Sequence, residues 1–143
     1  MMRRRTVSAL AGVLVVFAAT PCMAWGPRAN LAIVSSAMRI MNHEGSVPLA
    51  KLSEDVMNGA GVSSSQREQL YPGYLKNPID AVRAEMNLLR AVRGEGIEPY
   101  FAYRLGALGS LVARATAPMA RRSPTYSNLY YADVEEGIGS ISL

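Results

Sequence analysis

Few side chains in this sequence have the types and spacing that catalysis or metal binding requires. The chain contains one histidine, His43, and one cysteine, Cys22. A protein zinc site draws its ligands mainly from cysteine, histidine and carboxylate side chains, and a cysteine nucleophile needs an activating partner. His43 is predicted to end a helix, where a histidine commonly favours the negative end of the helix dipole. The sequence therefore predicts neither a histidine-rich zinc site nor cysteine chemistry.

A cluster of carboxylates near the C-terminus leaves two interpretations open. Asp133, Glu135 and Glu136 lie within four positions of one another. Such a cluster could bind a cation, although a solvated helix face explains it more simply. Ser110 has no neighbouring histidine and follows Gly109 inside a predicted amphipathic helix, so close helix packing explains it better than catalysis.

Three tyrosines in the same region also allow two interpretations. Tyr126, Tyr130 and Tyr131 follow Arg121–Arg122 closely. Flat rings beside cationic groups could form a binding surface. Core packing of at least two of the tyrosines is the favoured interpretation.

The elements that would position these residues follow a leader segment, residues 1–24. It combines Arg3–Arg5, a 13-residue apolar run from Val7 to Ala19, and Ala24 before a predicted cleavage point. The run is shorter than the ~20 residues of a membrane-spanning helix. We expect a signal peptide, a periplasmic or secreted domain of residues 25–143, and no transmembrane segment in it. Cys22 could instead be a lipid-attachment site, but Pro21 precedes it where a small residue is expected.

The composition of the predicted mature chain excludes several classes of function. Cleavage would remove Cys22, so no disulfide or thiol chemistry would remain. It would also remove three of the 15 basic residues, leaving 12 against 11 acidic ones and a net charge of +1. Only Arg121–Arg122 is locally basic, so we expect no binding to nucleic acid. The remaining length suits one domain with one modest core.

Apolar residues recur at helical spacing and nowhere alternate convincingly as in a strand. The sequence therefore predicts an all-α, single-domain bundle of about five helices. Asn30 and Asn77 are expected to cap two of them, and Ser63–Ser65 to cap a short helical stretch. The predicted segments are 31–41, 49–59, 63–70, 78–93, 99–115 and 129–138, and the second of them is expected to end at Gly59–Gly61.

Two of these segments have well-defined apolar faces that are expected to point into the core. The face predicted for segment 78–93 consists of Ile79, Val82, Met86, Leu89 and Arg93. The face predicted for segment 99–115 consists of Phe101, Leu105, Leu108, Val112 and Ala115.

Several stretches, in a consistent order, also follow the pattern of a known family. Trp25 stands at the predicted mature N-terminus, and residues 30–41 read NLAIVSSAMRIM. Residues 103–106 read YRLG, and Pro118–Met119 follows in the same helix. On these residues the chain, from Trp25 to about Ile141, resembles the secreted bacterial zinc-dependent phospholipases C. That family shares a helical fold with the zinc-dependent single-strand nucleases.

The resemblance also identifies where the family binds its metals, and most of those ligands are replaced here. The family uses the amine and carbonyl of an N-terminal tryptophan together with histidines, an aspartate and a glutamate. The matching positions are Trp25, Asn30, Ser110, Arg114, Ala120, Tyr131 and Glu135. Only Trp25 and Glu135 retain the family's ligand. A further aspartate and histidine of the family have no assigned counterpart, and Asp55 and Asp80 are the only aspartates in that region.

These replacements imply that the family's hydrolysis has been lost. Arg114 places a positive charge where a bridging carboxylate would neutralise the metals, and arginine keeps its proton in proteins. The resemblance therefore implies an exported, non-catalytic homologue with a scaffold or binding role, without catalytic residues or a cofactor. A buried Arg114 would need a partner, and Glu135 is the predicted one.

Other functions remain open at this point. One alternative is a metal-dependent phosphodiesterase or phospholipase C with a reduced zinc site built from Trp25, Asn30, Glu135 and an aspartate. Another is a truncated or decayed copy, although helix faces and caps still agree with one another. Candidate ligands are a phosphate-bearing molecule held by Arg114, a lipid head group or another protein.

Overall fold

The architecture consists of α-helices throughout the part of the chain that can be described. A computed structural model describes residues 25–45, 48–118 and 123–140, so the predicted leader, Ala120 and Arg121–Arg122 lie outside the described residues. No strand occurs within those ranges, and the predicted all-α fold of about five helices is confirmed, with six α-helices in these ranges. The helices are α1 Pro27–His43, α2 Ser53–Ala60, α3 Ser64–Leu70, α4 Pro78–Val92, α5 Pro99–Ala115 and α6 Pro124–Gly139.

Proline begins four of these helices and explains where they start. Pro27, Pro78, Pro99 and Pro124 each stand in the first turn, where the missing N–H costs nothing and the fixed φ suits a helix. For this reason α6 begins five residues before the predicted Leu129. The predicted cap at Asn30 is wrong, because α1 already begins at Pro27 after Gly26.

The other caps were predicted more accurately. Ser63 caps α3 in a capping box, in which its side chain accepts the Gln66 N–H and Gln66 accepts the Ser63 N–H. Asn77 precedes Pro78 as expected, but its side chain donates to Asp80 and forms no bond to the backbone of α4.

Helix α5 lies at the centre and contacts α1, α2 and α4. Its backbone comes closest to that of α2 at two glycines. A Cβ atom at Gly59 would overlap the Tyr103 carbonyl, and one at Gly106 would overlap the Val56 carbonyl. The crossing therefore depends on the absence of side chains at both positions.

The predicted core faces of α4 and α5 are partly wrong. Helix α4 buries Ala81, Glu85 and Leu89, whereas Ile79 is 52% exposed and Met86 40% exposed. Val112 of α5 is likewise 40% exposed. Helix α5 has neighbouring helices on several sides, so its buried surface is wider than one apolar stripe. Small residues lie where the neighbouring helices come closest. The buried residues of α5 are Ala102, Arg104, Gly106, Ala107, Ser110, Leu111 and Ala113.

None of the helices in the described part of the chain has the length and apolar character needed to cross a membrane.

Candidate functional site

The start of α1 is joined to α6 by the Glu135 carboxylate. Its Oε1 accepts the Ala29 N–H at 2.7 Å, and its Oε2 accepts the Arg28 N–H at 3.2 Å. The first N–H groups of a helix lack partners within the helix, and a carboxylate is favourable at that positive end. A Cβ atom at Gly26 would overlap this carboxylate, so glycine permits the contact. Glu135 thus has a structural partner other than the predicted Arg114.

The neighbouring acidic residues follow the expected pattern. Asp133 and Glu136 are exposed, whereas Glu135 is partly buried. The prediction of a solvated carboxylate face is therefore correct for Asp133 and Glu136 and wrong for Glu135. His43 lies exposed in the last turn of α1, as predicted.

Trp25 lies in an aromatic cluster with Tyr130 and Tyr131. Its ring centroid is 5.2 Å from that of Tyr131 in an edge-on arrangement and 6.2 Å from that of Tyr130. Its indole Nε1 donates to the Ala113 carbonyl of α5 at 2.9 Å. Tyr131 is buried, Tyr130 is half-buried and Tyr126 is 70% exposed. The prediction that at least two of the tyrosines pack in the core is confirmed.

Asn30 completes a group of four family ligand positions that meet at the start of α1. Its Nδ2 donates to the Trp25 carbonyl at 3.3 Å. Its Oδ1 is buried without a hydrogen-bond partner among the described residues. Trp25, Asn30, Tyr131 and Glu135 are therefore brought together by contacts between α1, α6 and the end of α5.

Ser110 and Arg114 lie along α5. Ser110 is fully buried, and its hydroxyl has no hydrogen-bond partner among the described residues. The Arg114 guanidinium lies over the ring of Tyr74, 5.4 Å from its centroid, a distance suited to cation–π attraction. Arg114 is half-buried, and Tyr74 is 1% exposed.

A second cation in this region, Arg67 of α3, was not among the predicted site residues. Arg67 is 7% exposed. Its Nη2 donates to the Ala60 carbonyl at 2.7 Å, and its Nε is buried without an acceptor. Burial lowers the pKa of the Arg67 guanidinium, the positive charge of Arg114 lowers it further, and Tyr74 opposes the shift. No apolar spacing or motif marks Arg67, so the sequence offered no signal for it.

A cleft of about 390 Å³ opens beside Arg67, between the start of α1 and the segment that joins α2 to α3. Asn30, Arg67 and the hydroxyl-bearing Ser63–Ser65 contribute polar groups to its wall, and the residues that line it include no carboxylate. The wall of the cleft is therefore mainly apolar, with a few polar groups and the positive charge of Arg67.

A separate buried cluster joins α4 to α5. The Arg104 Nη2 donates to Glu85 Oε2 at 2.5 Å and to the Tyr71 hydroxyl at 2.6 Å. The Tyr71 hydroxyl donates to the same Glu85 oxygen. Glu85 is 0% exposed and Arg104 8% exposed. Burial raises the pKa of Glu85, and the charge of Arg104 opposes that shift.

The residues at the family ligand positions do not fit a zinc cluster. Both Glu135 oxygens already accept backbone N–H groups, and Arg114 brings a positive charge that remains in place. Within the described ranges, no three histidine, cysteine, aspartate or glutamate side chains come close enough to share a metal ion. The arrangement suits hydrogen bonding between helices better than metal coordination.

None of the protein-family models, curated proteins or solved structures that were compared with this chain matches it. The phospholipase C resemblance therefore depends on the sequence stretches alone.

Proposed function

We propose that the protein is an exported, metal-free homologue of the zinc-dependent phospholipases C and that its domain has a binding role instead of a catalytic one. The observation that supports this proposal is the hydrogen bonding of Glu135, one of the two residues that retain the family's ligand type. Its carboxylate accepts two N–H groups of α1, so a metal ion would have to displace both bonds. Each hydrogen bond to a charged group contributes about 1.5–3 kcal/mol.

The replaced positions support the same proposal. Tyr131 packs edge-on against Trp25, and Asn30 donates to the Trp25 carbonyl. The groups that would hold metal in the family are here engaged in holding α1, α5 and α6 together. A domain stabilised in this way retains a cleft beside Asn30, with Arg67 in its wall, that can bind a ligand.

The first test is the metal content of the exported protein, with its N-terminus determined by mass spectrometry. We expect no stoichiometric zinc and no shift in melting temperature when zinc is added. Stoichiometric zinc that raises the melting temperature would contradict the proposal and favour a metal-dependent phosphodiesterase.

A second test checks the alignment with the family. The double variant Asn30→His and Arg114→Asp restores two ligand types, and we expect it to bind zinc more tightly than the unaltered protein in calorimetric titration. Ser36→His, at an exposed position of α1, is the matched control and should not change zinc affinity. Equal zinc affinity of the double variant and this control would count against the resemblance.

A further inference from the structure

Arg67 is a buried cation that has no carboxylate partner among the described residues. It is 7% exposed, and the ion pairs within 4.0 Å in the described ranges join other residues, Arg83 to Asp80 and Arg104 to Glu85. An uncompensated charge in a protein interior costs several kcal/mol. A position of this kind is stable only if something else supplies negative charge.

The backbone supplies only part of that charge. The Ala60 carbonyl, at the end of α2, accepts one hydrogen bond from Arg67, and a helix C-terminus carries about half a negative charge. The Nε of Arg67 has no acceptor, and the positive charge of Arg114 acts on the same guanidinium. Tyr74 favours the charged form of the Arg67 guanidinium, but no carboxylate in the described ranges pairs with it.

The space for a counter-ion lies directly beside it. The cleft of about 390 Å³ that Arg67 lines is within the size range of small-molecule sites, ~300–1,000 Å³. Ser63–Ser65 and Asn30 line the same cleft. A macromolecular segment is not required to fill it.

Asn30 narrows the chemical class of the ligand. Its Nδ2 donates to the Trp25 carbonyl, which orients the amide so that Oδ1 is the group left without a partner. Asn30 Oδ1 is enclosed by protein, so a ligand reaches it only when the Asn30 side chain turns toward the cleft that it lines. A ligand that then satisfies both Arg67 and Asn30 offers acceptor oxygens to the guanidinium and a hydroxyl to the amide oxygen. A singly protonated phosphate group has both.

We propose that this cleft binds a phosphate group, either free phosphate or a phosphate monoester, with Arg67 as the cation that holds it. The proposal deepens the binding role proposed above and rests on it, but it does not depend on the family resemblance or on the absence of zinc. The Arg114 guanidinium, which lies over the Tyr74 ring, adds positive charge near Arg67, whereas Tyr74 favours the charged form of Arg67.

Calorimetric titration at about pH 6, near the second phosphate pKa, tests the proposal. Inorganic phosphate and glycerol 3-phosphate should bind with one site per chain, and sulfate, which has no proton to donate at this pH, should bind at least several-fold more weakly. Arg67→Gln should weaken phosphate binding about tenfold or more, the value of one charged hydrogen bond. Arg83→Gln removes the same charge from the exposed face of α4 and should have no effect.

A second variant keeps the test informative if Arg67→Gln does not fold. Ser64→Asp places a carboxylate in the wall of the cleft at the first residue of α3, where an acidic side chain is favourable for the helix. We expect it to raise the melting temperature in phosphate-free buffer by pairing with Arg67, and to weaken phosphate binding at least tenfold.

Vesicles distinguish the two sources of the phosphate group. If the natural ligand is a lipid head group, phosphatidylcholine vesicles that contain phosphatidic acid will bind the protein in an Arg67-dependent way, and vesicles without it will not. If the ligand is soluble, the phosphate titration alone will show Arg67-dependent binding.

Three results would overturn the proposal. The first is the absence of Arg67-dependent binding to phosphate, glycerol 3-phosphate and the vesicles. The second is equal weakening by Arg67→Gln and Arg83→Gln, which would indicate an adventitious ion only. The third is sulfate affinity equal to that for phosphate. None of these results bears on zinc, so a failure here is distinguishable from a failure of the metal test.

Discussion

Arg104 and Arg67 are both buried arginines, yet their surroundings differ. Arg104 lies between α4 and α5 with the Glu85 carboxylate and the Tyr71 hydroxyl as acceptors. Arg67 lies beside a cleft, where it donates to the Ala60 backbone carbonyl and has Tyr74 and a second arginine, Arg114, nearby. The first charge is neutralised by the protein itself, whereas the second is left for a ligand to neutralise. The comparison shows that burial of a charge marks a candidate site only where the partner is missing.

The largest expected effect is at the neutralised arginine. Glu85→Leu should lower the free energy of unfolding by about 3–5 kcal/mol, because it leaves Arg104 buried without its carboxylate. Urea unfolding measures the change. Asp80→Asn, which breaks the exposed pair with Arg83, is the control and should cost about 0–1 kcal/mol. Similar small losses in both variants would mean that the protein does not depend on Glu85 to neutralise Arg104.

The next largest expected effect is a recovery of stability. Adding Arg104→Met to Glu85→Leu should restore about 2 kcal/mol or more, because apolar side chains commonly replace a buried ion pair without loss of stability. The double-mutant cycle in urea measures the coupling between the two residues. If the second substitution adds a further loss, Arg104 contributes through packing and not through its pairing with Glu85.

A smaller effect is expected at Arg67. In phosphate-free buffer, Arg67→Met should change the free energy of unfolding by no more than about 1 kcal/mol, since the loss of the Ala60 bond is offset by removal of an uncompensated charge. Unfolding in phosphate-free and phosphate-containing urea series measures this change. A loss as large as that of Glu85→Leu would mean that the protein itself stabilises the Arg67 charge.

The smallest expected effect is a dependence of stability on pH. Burial raises the pKa of Glu85 above its ordinary value of 4.5, so the folded protein holds this proton more tightly than the unfolded chain does. The stability that Glu85 contributes is therefore greatest below pH 4.5 and declines as the pH rises through the folded-state pKa. Glu85→Gln should remove this slope from the pH profile of the urea midpoint. An unchanged profile would assign the slope to other groups.

Local rules predicted much of the fold. The cap at Ser63 and the helix that starts at Pro78 both depend on residues within a few positions of one another, and each is present. The buried faces of α4 and α5 were predicted less accurately, because which residues are buried there depends on the number of neighbouring helices. Apolar spacing alone could not place Glu85 in the core.

The candidate site was predicted in part. Trp25, Asn30, Tyr131 and Glu135 do meet near the start of α1, but the bonds between them were not predictable from spacing. Arg67 was missed because an arginine on a short polar helix has the sequence pattern of a solvated one. Its burial arises only when α3 packs against the end of α2.

The amino-acid sequence by itself determined where the helices start and stop and that the chain is all-α, because prolines, caps and glycines act on their nearest neighbours. Tertiary structure alone decided which charges are buried and which of them find a partner. The reason is that the electrostatic cost of a buried group depends on everything packed around it, and for Arg104 and Arg67 those neighbours come from different helices of the chain.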